Sequence, residues 1–262
     1  HVAVRRQRQM CIRDRITLVL GIVVSFKPLE IRPAWLRRDG LLMLFSIVTL
    51  TALLWEGGGL SRIEGGILCL IYMLYLTWLL NDTEKIREDE KQIVNEIKTT
   101  EFSWTGTAYF TMVVIGLSLA VYSANELVEY AAMIAYKLDV PHAIVGSTMS
   151  GLGTSLPELT VAMVAVRKSQ GVAIGTLIGS NITDPLLSIG IAALISPISL
   201  TDASYDLTMY LIIPATILGA SLCLAMMWTG FTFSRIEGGI LISFYAIFLF
   251  LIELQRQGYL TF

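Results

Sequence analysis

The sequence predicts an all-α membrane protein that crosses the bilayer several times, and three observations support this prediction. First, 55% of its 262 residues are hydrophobic and only 15% are charged, with a mean hydropathy of +0.68. Second, long uncharged runs recur along the chain. Third, one eight-residue motif occurs twice. Soluble domains carry about 25% charged residues, so the composition disfavours a soluble enzyme, and we expect no enzymatic activity.

Charge and composition exclude several other classes. The formal net charge of −2 gives no electrostatic reason to expect a nucleic-acid partner. Two histidines and three cysteines are too few for a zinc cluster or a disulfide framework. We therefore expect no cofactor, and the lipid bilayer is the expected surrounding.

Residues 1–15 (HVAVRRQRQMCIRDR) differ from the rest of the chain. They hold five of the nineteen basic residues and lack the apolar core of a signal peptide. One interpretation is a basic cytoplasmic tail. We favour the other, a foreign segment that resembles translated adapter or vector sequence, after which an apolar run begins abruptly at Ile16.

The membrane spans follow from the gaps between charges, because a spanning helix needs about 20 apolar residues. A charged stretch at 82–101 separates two groups of spans. The placement of Lys and Arg puts this stretch in the cytoplasm as a connector. The sequence thus predicts one partial span and seven complete ones, at 16–26, 40–55, 65–81, 102–125, 140–166, 169–201, 207–234 and 238–252.

An internal repeat predicts the symmetry of the fold. The motif SRIEGGIL occurs at 61–68 and again at 234–241. Five predicted spans lie between the copies, so the copies face opposite sides of the membrane, as in inverted-topology transporters. A second, weaker sequence match relates LGIVVSFKPLEI, which starts at Leu20, to IGIAALISPISL, which starts at Ile189. We assign 16–81 to the remainder of a first repeat and 102–262 to a complete second one. The motif's Arg and Glu are expected to pair or to cap a helix.

Two isolated acids mark the candidate site. Glu158 and Asp184 each lie within a long apolar span, where an ionisable group costs about 2.5–3.5 kcal/mol and is therefore functional by default. Pro157 should open its helix and free backbone carbonyls one turn earlier. Pro185 should distort the second helix in the same way.

The residues around these acids supply oxygen. Gly151, Thr154, Ser155 and Glu158 share one helical face, and Ser180 lies one turn before Asp184. Carbonyl, hydroxyl and carboxylate oxygens suit calcium or sodium. A proton relay at Glu158 is one alternative. Helix packing alone is another explanation for the glycines at 175 and 179.

Two motifs resemble a known family. GTSLPEL at 153–159 and GSNITDPLL at 179–187 are similar to the second alpha-repeat of the sodium/calcium exchanger family, and the resemblance covers 16–262. It implies ten spans in two inverted halves, with cation sites at mid-membrane. It also implies that Glu158 is a principal calcium and sodium ligand. Supporting ligands would be the hydroxyl or carbonyl of Thr154, Ser155, Ser180, Asp184 and the Gly151 carbonyl.

The implied function is exchange of sodium for calcium by alternating access, with Ca²⁺ and Na⁺ as transported ions. We place the protein in a prokaryotic plasma (inner) membrane as a multi-pass protein. The first repeat begins after its own motif, so we expect an incomplete site that needs the missing first-repeat helices. A calcium/proton antiporter and a non-transporting membrane scaffold remain alternatives.

Overall fold

The computed structural model describes residues 12–57, 59–81, 106–137, 155–167, 169–199, 208–257 and 259. Helices and four two-residue strands make up this part of the chain. The helices are α1 (12–26), α2 (33–57), α3 (Arg62–Asn81), α4 (Gly106–Lys137), α5 (155–167), α6 (170–195), α7 (208–228) and α8 (Arg235–Arg256). The strands are β1 (Leu29–Glu30), β2 (Gly59–Leu60), β3 (Ile198–Ser199) and β4 (Thr232–Phe233).

Six helices in the described part are long and apolar enough to cross a membrane. This confirms the prediction of a multi-pass membrane protein. The predicted span at 102–125 is seen as α4, which continues to Lys137. α5 covers the end of the predicted span at 140–166, whereas the predicted connector at 82–101 lies outside the described residues.

Both halves of the chain show the same order of elements. A π-helical turn lies within each of two corresponding helices, at Arg15–Val19 in α1 and at Asp184–Ser188 in α6. A strand, a helix with its own π-helical turn, a second strand and a long helix follow in each half. The second copy lies 169 residues after the first at the π-helical turn and 173 residues after it at SRIEGGIL. The structure therefore extends the repeat well beyond the motif.

Strands and helices of each half pack against strands and helices of the other half. Strand β1 pairs with β4, and β2 pairs with β3, both antiparallel. Helix α3 packs on α6 of the other half, and α8 packs on α1. This reciprocal packing is what two halves related by a two-fold rotation produce. It joins them into one hydrophobic core.

Glycines allow the closest of these contacts. A methyl group added at Gly65 would lie 2.7 Å from the carbonyl oxygen of Gly190. One added at Gly238 would lie 2.8 Å from the carbonyl oxygen of Gly21 and 2.8 Å from the hydroxyl of Ser25. Only a residue without a side chain permits this backbone approach, so the first glycine of each SRIEGGIL copy is a packing residue.

Gly238→Ala is therefore expected to lower the free energy of unfolding by about 1–3 kcal/mol, because the added methyl group overpacks the α1–α8 contact. Gly239→Ala is the matched control, since no described atom other than its chain neighbours and its own helix backbone lies within 4 Å of its added methyl group. Unfolding of both variants in detergent, followed by circular dichroism, measures the difference. Equal stability of the two variants would contradict this packing.

The two copies of the motif also share a helix cap. The Ser234 hydroxyl accepts a hydrogen bond from the N–H of Glu237, whose carboxylate accepts the N–H of Ser234 at 2.7 Å. Ser61 and Glu64 make the same pair of bonds at the start of α3. This capping box satisfies backbone donors at the helix start. The glutamate of the motif is thus a capping residue, as the sequence predicts.

Candidate cation site

Glu158 and Asp184 meet on opposite sides of one guanidinium group. Nη2 of Arg15 donates to Oε1 of Glu158, and Nη1 donates to Oδ2 of Asp184. The three residues come from α5, α6 and α1. The site therefore lies where the first half of the chain touches the second.

Local backbone geometry sets the position of Asp184. It is the first residue of the π-helical turn Asp184–Ser188 in α6, and Pro185 follows it. Proline lacks an N–H and forces the helix to widen. The corresponding turn Arg15–Val19 in α1 has the same π-helical form without a proline. The widening thus belongs to both repeats, and Pro185 is not its only cause.

The two carboxylates share a single cationic partner, so one of their two negative charges is not balanced by it. The Arg15 side chain is 8% exposed, and those of Glu158 and Asp184 are 24% and 23% exposed. Ser188 donates to Oδ1 of Asp184 at 3.2 Å. Oε2 of Glu158 is buried and accepts no hydrogen bond from the described residues. These three side chains, two carboxylates and one guanidinium, carry a formal net charge of −1.

A second contact fixes α5 against α1. Nζ of Lys27, just after α1, donates to the carbonyl oxygen of Val166 at 3.1 Å. The Arg167 guanidinium lies 5.2 Å from the centre of the Phe26 ring. These contacts lie near the opposite end of α5 from Glu158, so both ends of its described part are tied to α1.

The other predicted ligands are distributed as follows. Ser155 is buried, one helical turn before Glu158. Ser180 is half-buried, and its hydroxyl donates to the Leu177 carbonyl at 3.2 Å, which leaves the oxygen lone pairs available. Gly151 and Thr154 lie outside the described residues. Within the described ranges, no group of three or more His, Cys, Asp or Glu side chains suits a metal ion.

Asn181 adds a further oxygen in α6. Its side chain is buried, and its Nδ2 donates to the Leu177 carbonyl at 2.7 Å. Its Oδ1 is buried and has no hydrogen-bond partner in the described part of the chain. A buried carbonyl oxygen without a donor is costly and is suited to accept a cation.

A cavity of about 350 Å³ lies between α2, α3 and α6, beside the residue that precedes Asp184. The Tyr72 hydroxyl is 3.3 Å from that of Thr183, and the Tyr75 hydroxyl donates to Asp39 at 3.1 Å. Gly175 and Gly179 line this cavity, and no described atom lies within 4 Å of a methyl group added to either. In the described structure these glycines border open space and not a packed helix.

Arg15 is the site residue that the sequence prediction missed. We assigned residues 1–15 to a foreign tail, and the origin of Arg15 stays part of that prediction; in the structure α1 includes residues 12–15 without a break, and Arg15 is buried. Residues 1–11 lie outside the described part, so the foreign origin of the tail stays a prediction. The sequence does contain a hint of this position. When the weak match between the segments that start at Leu20 and Ile189 is extended five residues toward the N-terminus, Arg15 aligns with Asp184.

A second buried arginine lies two residues earlier and is neutralised locally. Nε of Arg13 donates to Oδ1 of Asp14 at 2.9 Å. Its guanidinium lies 3.6 Å from the ring centre of Phe248 and 5.5 Å from that of Tyr245. An adjacent carboxylate and aromatic faces stabilise a buried cation. Arg13 therefore contacts α8, and Arg15 contacts the two acids.

Known proteins are similar to this chain in sequence and in fold. A family model described as sodium/calcium exchanger protein matches residues 15–81 and 108–252. The chain is 34% identical to the inner membrane protein YrbG of Escherichia coli over 224 residues, which cover 79% of the chain and 65% of YrbG. It is 36% identical to the sodium/calcium exchanger MaX1 of Methanosarcina acetivorans over 141 residues, covering 53% and 39%. The matches thus span less than two thirds of either relative.

Solved structures of a sodium–calcium exchanger have the same fold as this chain. The sodium–calcium exchanger NCX_Mj, soaked with zero Na⁺ and Ca²⁺, superposes with a TM-score of 0.69 at 23% sequence identity. The match covers 94% of the chain and 75% of NCX_Mj. The same exchanger soaked with 10 mM Na⁺ superposes with a TM-score of 0.65. The predicted polytopic transporter fold is therefore confirmed, and this multi-pass membrane protein belongs to the sodium/calcium exchanger family.

Proposed function

We propose that the protein exchanges sodium for calcium across a prokaryotic plasma (inner) membrane and acts as a carrier, not as an enzyme. The observation that carries this proposal is the convergence of Glu158 and Asp184, from separate helices, on a single cationic group. Acids placed in membrane helices typically serve ion pathways. Here they form a site that holds positive charge, and the family supplies the identity of the ions.

The oxygen atoms of the site suit calcium and sodium as the transported ions. Calcium takes six to eight oxygen ligands, and neither calcium nor sodium prefers imidazole or thiolate. Glu158, Asp184, Ser155 and Ser180 supply carboxylate and hydroxyl oxygens, to which we add Oδ1 of Asn181. We propose Gly151 and Thr154, which precede Glu158 in the sequence, as further ligands.

These ligands do not complete a calcium shell, so we propose that first-repeat helices supply the rest in the whole protein. The matched region spans 65% of YrbG, and transport is therefore proposed for the whole protein. The symmetric halves support alternating access. A site at the junction of two related halves can open to either membrane face when one half moves against the other.

Calcium uptake into sodium-loaded proteoliposomes tests the coupling. Dilution into sodium-free buffer with radioactive Ca²⁺ is expected to drive calcium inward, because outward sodium flow provides the energy. A sodium ionophore should abolish this uptake. An imposed pH gradient without sodium should give none.

The alternatives predict different results in the same vesicles. Uptake that follows the pH gradient and ignores sodium would indicate a calcium/proton antiporter. Uptake no greater than that of protein-free liposomes under every gradient would indicate a scaffold. Either result would overturn the proposed exchange.

A further inference from the structure

We propose that the cavity between α2, α3 and α6 is a water-filled vestibule, through which hydrated cations pass between the cytoplasm and Asp184. The proposal rests on the proposed function, because it takes Asp184 as part of the cation site. It goes beyond that function by assigning an access route and the membrane face to which this route opens. Such a route controls the rate of exchange and not the affinity of the site.

The depth of the cavity matches such a route. Its lining includes Gly171, in the first turn of α6, and Thr183, which directly precedes Asp184. A helix rises about 1.5 Å per residue, so these two positions lie about 18 Å apart along the axis. Half of the hydrocarbon core of a bilayer measures about 15 Å. The cavity therefore extends from one membrane face to the middle of the membrane, where transporters hold their ions.

A row of polar groups follows the wall of the cavity. Near the start of α2, Asp39 pairs with Arg38 at 2.7 Å and accepts the hydroxyl of Tyr75 at 3.1 Å. Further in, the Tyr72 hydroxyl lies 3.3 Å from that of Thr183. The ring centres of the two tyrosines are 6.4 Å apart, so they connect the outer group to the inner one. Water can hydrogen-bond to these groups and lipid chains cannot, which makes water the occupant.

The size of the cavity admits a hydrated ion. Its volume is about 350 Å³, and a water molecule takes about 30 Å³ of liquid, so the cavity holds about ten waters. This exceeds the shell of about six to eight oxygen atoms around Ca²⁺. Gly175 and Gly179 line the cavity between its outer end and Thr183. Since neither carries a side chain, α6 leaves the passage open.

The ends of the helices identify the membrane face. The outer lining of the cavity comes from the first turns of α2 and α6 and from the last turns of α3. The charged stretch at 82–101 follows α3 in the sequence. The distribution of Lys and Arg predicts that this stretch is cytoplasmic. The vestibule therefore opens to the cytoplasm.

Cysteine labelling tests the vestibule in the whole protein, with the first-repeat helices present and its own cysteines replaced by alanine. Gly175→Cys places a thiol in the open part of the cavity. A positively charged, membrane-impermeant methanethiosulfonate should label this thiol in inverted membrane vesicles, which expose the cytoplasmic face, and not in intact spheroplasts. No labelling in inverted vesicles would overturn the proposal, because a first-repeat helix or lipid would then fill the cavity. Equal labelling in spheroplasts would also overturn it.

Gly116→Cys is the matched control. Gly116 likewise has open space around an added methyl group, but it lies in the apolar part of α4, where none of the described side chains is buried. This part of α4 faces lipid, which a charged reagent does not enter. Gly116→Cys should therefore stay unlabelled. Equal labelling of Gly116→Cys and Gly175→Cys would contradict the vestibule, since it would reflect general access of the reagent to the membrane interior.

Calcium uptake after labelling separates this proposal from the proposed function. Gly175→Cys labelled before reconstitution should lose sodium-driven calcium uptake, and reduction of the mixed disulfide should restore it. Full uptake after complete labelling would overturn the vestibule and leave the exchange of sodium for calcium intact. Labelling from the cytoplasmic face in a protein that takes up no calcium before labelling would support the vestibule and overturn the proposed exchange.

Discussion

Glu158→Gln is expected to lower calcium affinity at least about 100-fold and to abolish sodium-driven calcium uptake. The substitution replaces a charged ligand by a neutral amide of the same shape. Loss of a group that only supports a metal ligand already costs 10- to 100-fold, so loss of a ligand should cost at least as much. Radioactive Ca²⁺ binding to the whole protein and to its Glu158→Gln variant measures the change.

The fold should survive this substitution. In the original chain Arg15 keeps its contact with Asp184, so no buried charge loses its last partner. Glu30→Gln is the matched control, since Glu30 lies exposed on β1, away from the site. Its calcium affinity should be unchanged. Loss of binding in both variants would show that the effect is not specific to the site.

Asp184→Asn is expected to weaken calcium binding more than sodium binding. Coulomb energy scales with the charge of the bound ion, so removing one negative charge affects Ca²⁺ twice as strongly in free energy as Na⁺. If sodium affinity falls about tenfold, calcium affinity should fall about 100-fold. Competition of Na⁺ against radioactive Ca²⁺ on the whole protein measures both values.

Asp39→Asn is the control for this variant. Asp39 is also an aspartate paired with an arginine, Arg38, and it accepts from Tyr75, but it does not contact the guanidinium of Arg15. Its substitution should change neither affinity. An equal loss of sodium and calcium affinity in Asp184→Asn would indicate a structural role for Asp184 and no direct contact with the ions.

The sequence was sufficient for the features that depend on composition and local pattern. Long apolar runs predict the membrane helices because the bilayer imposes their length. Glu158 and Asp184 stand out because an acid in such a run is costly. The repeated SRIEGGIL predicts two related halves, and its serine and glutamate form the helix caps.

Features that depend on packing between the halves were not predicted. The exchanged strand pairs and the glycine contacts at Gly65 and Gly238 bring together residues more than 100 positions apart, and no local pattern encodes them. The contact of Arg15 with the two acids was not predicted for a related reason. A basic, unusual segment read by itself suggests a tail, and only its alignment with Asp184 places Arg15 in the site.

The central claim is that Glu158 belongs to a sodium-coupled calcium site, and one measurement tests it most directly. Calcium uptake into sodium-loaded proteoliposomes is compared for the whole protein, with the first-repeat helices present, and for its Glu158→Gln variant. We predict uptake that collapses with the sodium gradient in the first and uptake at the level of protein-free liposomes in the second. Equal uptake by both proteins, or uptake indifferent to sodium, would contradict this account.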